Sequence, residues 1–141
     1  MTSSSDALFL RLADQLRSDE HVAAKAIECV EAFTDRFNAR DLVGMDSLLH
    51  FPHAILSDEK LVVWDRPGQL SAEFFDDLTA STGWHQTNYK LKRIILSSAC
   101  KVHLLIEYSR DDATGRPISH HQNIWIVIFD RGRWGIKVRS Y

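Results

Sequence analysis

The chain reads as an α+β protein in which helices pack on one face of a curved, mostly antiparallel β-sheet. Two observations predict this. Apolar residues recur at helical spacing from Asp19 to Ala39, and from Trp84 to Tyr141 the period changes to two. A short stretch of helix and strand joins the two regions. At 141 residues, 45% of them hydrophobic, one domain can bury a core without a disulfide or a metal.

The elements follow in chain order. Residues 1–18 are read as an N-terminal accessory segment, where Leu8, Leu12 and Leu16 recur every four positions after Ser5-Asp6 and predict a short capped helix. A single α+β domain then spans 19–141. In its first helix Val22, Ala26, Cys29, Val30, Phe33 and Phe37 line one face, while Lys25, Glu28, Glu31, Asp35 and Arg36 fall elsewhere. Asp41 caps a second helix with Leu42, Met45, Leu48 and Leu49 on its apolar side, ended by Pro52. His53–Leu56 and Lys60–Trp64 are short strands around the turn Ser57-Asp58-Glu59. After Pro67 and Gly68, the spacing of Leu70, Phe74, Phe75 and Leu78 predicts a third helix, stopped at Ser81-Thr82-Gly83. Alternation then marks strands through Tyr89–Ile95 and Val102–Tyr108, Ile118–Phe129 is a nearly continuous apolar strand and Arg133–Arg139 the last one, with turns at Asp111–Gly115 and Asp130–Gly132.

Composition excludes several functions. Lysine and arginine total 17 against 19 acidic residues, a net charge of -2, and the basic residues are spread out, which argues against nucleic-acid binding. No apolar run approaches the roughly 20 residues of a membrane span, and the first residues carry no signal-peptide apolar core, so no membrane partner and a cytoplasmic location are expected. Cys29 and Cys100 have no Cys-x-x-Cys spacing and read as reduced packing residues. Seven histidines form no His-x-x-x-His or Glu-x-x-His pair, and no metal site is expected. Gly-x-Ser-x-Gly, phosphate-loop and dinucleotide motifs are absent, against triad hydrolases, nucleotide hydrolases and classical dehydrogenases. Cofactor-free acid/base catalysis leaves no linear motif and stays open.

Strand parity sorts the candidate residues. Val102, Leu104, Ile106, Tyr108 and Arg110 share one face, expected toward the helices, and His103, Leu105, Glu107 and Ser109 share the outer one. The adjacent His120 and His121 must face opposite ways. In the last strand Trp134, Ile136 and Val138 form one set and Lys137 and Arg139 the other, so Arg139 reaches the core only if a bulge intervenes or the apolar set faces out. Trp64, Trp84, Trp125 and Tyr89 can wall an apolar pocket or fill the core. His53, next to Pro52, either lines a cavity or anchors its loop by hydrogen bonds. Outward apolar residues, Leu105 with either Trp125, Val127 and Phe129 or Ile124, Ile126 and Ile128, predict a homodimer through the sheet.

The segment Phe37-Asn38-Ala39-Arg40-Asp41, followed by Leu49-His50-Phe51-Pro52-His53, resembles the helix-to-first-strand passage of the nuclear transport factor 2-like, or SnoaL-like, superfamily. The closing Asp130-Arg131-Gly132-Arg133-Trp134-Gly135-Ile136 is similar to its terminal hairpin, and the resemblance runs from Asp19 to Tyr141. It implies a cone-shaped, cystatin-like fold: a strongly curved sheet around helices, with a pocket at the open end. It implies a small-molecule-binding protein without a cofactor, either a cofactor-independent isomerase, cyclase or dehydratase on an apolar or carbonyl compound, or a non-catalytic dimeric binding or accessory module. In the ketosteroid-isomerase-like branch an aspartate near the first strand removes a proton. Asp58 occupies a comparable place, although Ser57-Asp58-Glu59-Lys60 reads better as an exposed turn. The candidate catalytic residues are therefore His53, His121 and Asp58. The expected ligand-binding set is His53, Trp64, Trp84, Tyr89, Arg110, His121 and Arg139. Of these His53, Trp84, Arg110 and His121 are expected to converge at the open end, with Arg110 binding a carboxylate or polarising a carbonyl unless it pairs with Asp111 or Asp112.

Overall fold

The computed structural model describes residues 20–141. The accessory segment and its expected helix lie outside the described residues. Helix α1 spans Glu20–Asn38, and its Ala26, Cys29, Val30 and Phe33 are buried against the sheet, as the helical spacing requires. Helix α2, Leu42–Asp46, starts at Asp41, whose carboxylate accepts the backbone N–H of Gly44 at 2.9 Å. Strands β1 (Leu49–Ser57) and β2 (Lys60–Trp64) form a hairpin. Helix α3, Phe74–Thr82, stops at Gly83, whose φ of 80° is the left-handed conformation that glycine adopts without strain. Strands β3 (Gln86–Ser97), β4 (Lys101–Asp111), β5 (Pro117–Asp130) and β6 (Arg133–Ser140) complete one six-stranded sheet in the order β2-β1-β6-β5-β4-β3. All pairs are antiparallel except β1 with β6.

The expected cone is not what forms. Helices do pack against a mixed, mostly antiparallel sheet, but that sheet is not strongly curled, and its edge strands β2 and β3 stand at opposite ends of the order. The physical reason lies in the middle of the sheet. Corners are turned by bulges, and although the β3–β4, β5–β6 and β1–β6 ladders carry register shifts, the central β4–β5 ladder pairs without interruption from Lys101 opposite Ile128 to Arg110 opposite Ser119.

Two boundaries also differ. Leu49 is not in α2: it is buried in β1, opposite Ile136 of β6, so pairing with the last strand overrides the local helical spacing. Pro52 follows a cis bond within that strand, in the irregular stretch between Leu49 and Ala54 where the ladder does not call on its missing N–H. Leu70 precedes α3 and packs against the core from the connecting segment.

The parity of β4 holds. Val102, Leu104 and Ile106 are fully buried beneath α1 with Tyr108 close behind. On β5 the inward set is Asn123, Trp125 and Val127, which turns Ile124, Ile126 and Ile128 outward beside Leu105. Cys29 is buried, and desolvation pushes its thiol up to about 11, so it stays protonated. Cys100, expected in packing, is exposed. Among the described residues no helix is long and apolar enough to cross a membrane.

Candidate functional site

Arg139 is the centre of the site, and a bulge puts it there. Along β6 the partners on β5 step from Ile136 opposite Val127 to Val138 opposite Ile126, which leaves Lys137 as an extra residue. The extra residue inverts the alternation, so Ile136 and Arg139, three apart, are both buried. Arg139 is 8% exposed, and among the described residues no carboxylate lies within ion-pair distance of it. Its guanidinium is held by aromatic faces instead, 5.3 Å from the Phe33 ring centroid, 5.4 Å from Trp64 and 5.9 Å from Tyr141.

His53 fixes its orientation. The buried imidazole approaches the Ile136 carbonyl through Nδ1 at 3.0 Å and receives Arg139 Nε–H on Nε2 at 2.9 Å. A carbonyl only accepts and a guanidinium only donates, so the ring is the neutral Nδ1–H tautomer. Burial, with Arg139 beside it, lowers the His53 pKa to about 3. Arg139 Nη1 also donates to the Tyr141 hydroxyl at 3.1 Å.

Two cavities share Arg139 and Phe33 in their walls. The first is narrow, about 30 Å³, enough for roughly two waters. Thr34, Tyr108, Arg110 and Trp125 also line it. The second, about 270 Å³, is mostly apolar, walled by Leu42, Met45, Leu49, Trp64 and Leu70, with Asp46 at its edge. The narrow cavity carries several donors and no carboxylate. Arg110 Nε and Trp125 Nε1 are buried there without a hydrogen-bond partner. The Tyr108 hydroxyl accepts from Asn123 Nδ2 at 2.9 Å, which leaves its proton to give. Thr34 is committed elsewhere, bonded to the Tyr89 hydroxyl, which donates to the Val30 carbonyl at 3.0 Å.

The structure distributes the expected residues unevenly. Arg110 and Arg139 line the narrow cavity, and Trp64 lines the wide one. His53 stands behind Arg139. Trp84 is fully buried between Phe37 and Phe75, its indole N–H donated to Thr87 at 2.9 Å. Tyr89 braces α1 against β3. His121 stacks on Tyr108 at 4.9 Å and opens on a surface groove of about 270 Å³ with Lys90, Glu107 and His120, which has Tyr108 in common with the narrow cavity. Desolvation lowers its pKa, with Arg110 adding to the effect. Asp58 is exposed at a positive-φ turn position between β1 and β2. Thus His53, Trp84, Arg110 and His121 do not face one cavity. Nor is Arg110 tied into the hairpin turn: Asp111 accepts from Asn88 at 2.5 Å, and Asp112 accepts from Thr114 and Arg116 of its own turn.

Phe33, Thr34, Tyr108 and Tyr141 are site residues that sequence reasoning did not single out as such. Phe33 and Tyr108 carried only the signal of facing the core, and Tyr141 had none. It is placed because its N–H continues the β6–β1 ladder to the Leu56 carbonyl at 2.8 Å.

Comparison with known proteins bears on the fold. No family model and no curated protein matches the chain. Solved structures do match. A protein of unknown function with a cystatin-like fold from Nostoc punctiforme superposes with a TM-score of 0.63 at 9% identity, over 99% of this chain and 91% of that one. A nuclear transport factor 2-like protein of unknown function from Pseudomonas putida gives a TM-score of 0.66 at 8% identity, over 88% and 87%. A putative ketosteroid isomerase from Shewanella frigidimarina gives 0.61 at 16% identity, over 82% and 93%. The chain therefore has the nuclear transport factor 2-like fold, as the resemblance in sequence implies.

Proposed function

We propose that the protein binds a small molecule carrying a hydrogen-bond-accepting, negatively polarised group, in the space between α1 and the inner face of the sheet. The observation that carries this reading is the buried Arg139 guanidinium without an acidic partner. A guanidinium keeps its charge, and burying an uncompensated charge costs several kcal/mol. A protein that positions such a group with a dedicated histidine, aromatic faces and a bulge is reserving it for something that enters. The unpartnered N–H groups of Arg110 and Trp125 support the same reading.

Binding is better supported than acid/base catalysis. Both His53 nitrogens are occupied, and its depressed pKa removes it from proton exchange near neutrality. Asp58 is exposed, and His121 lies on another groove. An isomerase, cyclase or dehydratase activity would need a base that these residues do not supply to the Arg139 cavities, and the one carboxylate that lines them, Asp46, is engaged by the Gly68 N–H at 2.9 Å. The reading is tested by Arg139→Gln in a thermal-shift screen of small carbonyl and carboxylic compounds. Hits on the wild type that vanish in the variant support it, and hits that persist unchanged reject it.

A homodimer through the outer face of the sheet is the second part of the reading. Leu96 on β3, Leu105 on β4, Ile124 on β5, Leu56 on β1 and Leu61 and Val63 on β2 lie on that face by register, and all but Leu105 are more than a third exposed. A row of this length is better covered by a second copy than left in water.

A further inference from the structure

Resting on the ligand-binding reading of the same site, we infer that the ligand is a monocarboxylate with an apolar body. Its carboxylate sits among Arg139, Arg110, Trp125 and Tyr108, and its hydrocarbon part lies in the wider cavity beside Trp64. The chemistry of the narrow cavity selects the head group. Two guanidiniums, one unpartnered indole N–H and one phenolic proton converge there, and no carboxylate is among the residues that line it. Such a set is complementary to an acceptor that offers four lone-pair directions and a full negative charge, which a carboxylate does and an amide or alcohol does not.

Size and charge narrow the class further. A cavity of about 30 Å³ takes a planar carboxylate more readily than a tetrahedral phosphate with its third and fourth oxygens. The wide cavity gives room for a short chain or a ring, and its apolar wall rewards methylene groups. Asp46 is the single acidic side chain on that wall, fixed by the Gly68 N–H at 2.9 Å. It opposes a second negative charge on the ligand, so dicarboxylates are disfavoured. His53 is a positioning residue for Arg139 and does not meet the ligand.

The test is isothermal titration with four probes that share a six-carbon chain: hexanoate, hexanamide, adipate and hexyl phosphate. Hexanoate is expected to bind, with hexanamide at least tenfold weaker, the factor that a charge-assisted bond carries over a neutral one, and with adipate and hexyl phosphate weaker because of their second charge beside Asp46 and their bulkier head group. Trp125→Phe, which keeps the ring and removes one N–H, is expected to weaken hexanoate five- to tenfold without altering the circular dichroism spectrum. Arg139→Gln is expected to abolish binding, and should that variant misfold, Trp125→Phe carries the test alone. Hexanamide or hexyl phosphate binding as tightly as hexanoate overturns the carboxylate assignment and leaves the ligand-binding reading standing. Adipate binding as tightly as hexanoate overturns the single-charge assignment. Failure of hexanoate and all other probes to bind overturns both the assignment and the site as a ligand pocket. Hexanoate bound equally by wild type and Trp125→Phe overturns the placement of the carboxylate.

Discussion

Arg139 Nε donates to His53 Nε2 across 2.9 Å, and this one bond joins two residues 86 positions apart on neighbouring parallel strands. It fixes the tautomer of the histidine and the direction of the guanidinium together. A protonated His53 would bring two cations face to face in a dry environment, so the pair is stable only with the ring neutral.

Stability should therefore fall with acid. The folded-state pKa of His53 is lowered from 6.5 to about 3, so between these values the unfolded chain binds the proton and the folded chain does not. Its contribution is complete above pH 6.5 and is lost as pH drops toward 3, at up to ~1.4 kcal/mol per pH unit. His50, His103 and His121, also lowered chiefly by desolvation, act in the same direction. Urea unfolding at pH 7.5, 6 and 5 checks this, and His53→Gln, which can donate to Ile136 and accept from Arg139, should flatten the profile. A stability that is level from pH 7.5 to 5 contradicts the assignment of His53 as neutral and buried.

Arg139→Met separates function from stability. The substitution relieves the cost of burying a charge without an acidic partner, several kcal/mol, and gives up the bond to His53 Nε2 at a cost of ~1–3 kcal/mol together with that to the Tyr141 hydroxyl, while the Met side chain keeps apolar contact with the surrounding rings. The variant should match or exceed the wild type in thermal stability while losing ligand binding. A large drop in Tm would mean that the arginine is structural.

The outer sheet face should govern assembly. Light scattering of the wild type is expected to give twice the 16.2 kDa chain mass, and Ile124→Lys, on the partly exposed outward face, should shift it to the monomer without unfolding it. A wild type that runs as a monomer at micromolar concentration removes the dimer.

Neighbouring residues on β4 should respond in opposite ways. Leu104 is fully buried beneath α1, and Leu104→Ala should cost ~2–5 kcal/mol in chemical denaturation. Leu105 faces outward, half-buried, and Leu105→Ala should cost much less in unfolding and more in dimer dissociation.

Local periodicity determined which elements form and which way β4 faces, because an uninterrupted strand alternates strictly and burial follows the apolar set. Val102, Leu104, Ile106, Tyr108 and Arg110 were legible for that reason, and so was the resemblance in fold. The tertiary structure alone decided three matters. Leu49 left its helical pattern because β6 offered a parallel partner at Ile136. The sheet stayed without a strong curl because curling depends on where bulges fall in paired strands, and a single strand's pattern does not encode its partner's register. Arg139 entered the core through the extra Lys137, so a conditional statement in the sequence became a definite position only when β5 fixed the register of β6. His53 was a lone histidine beside a proline until the fold set it against Arg139. The pairing of two distant strands, which has no short-range signature, made them a site.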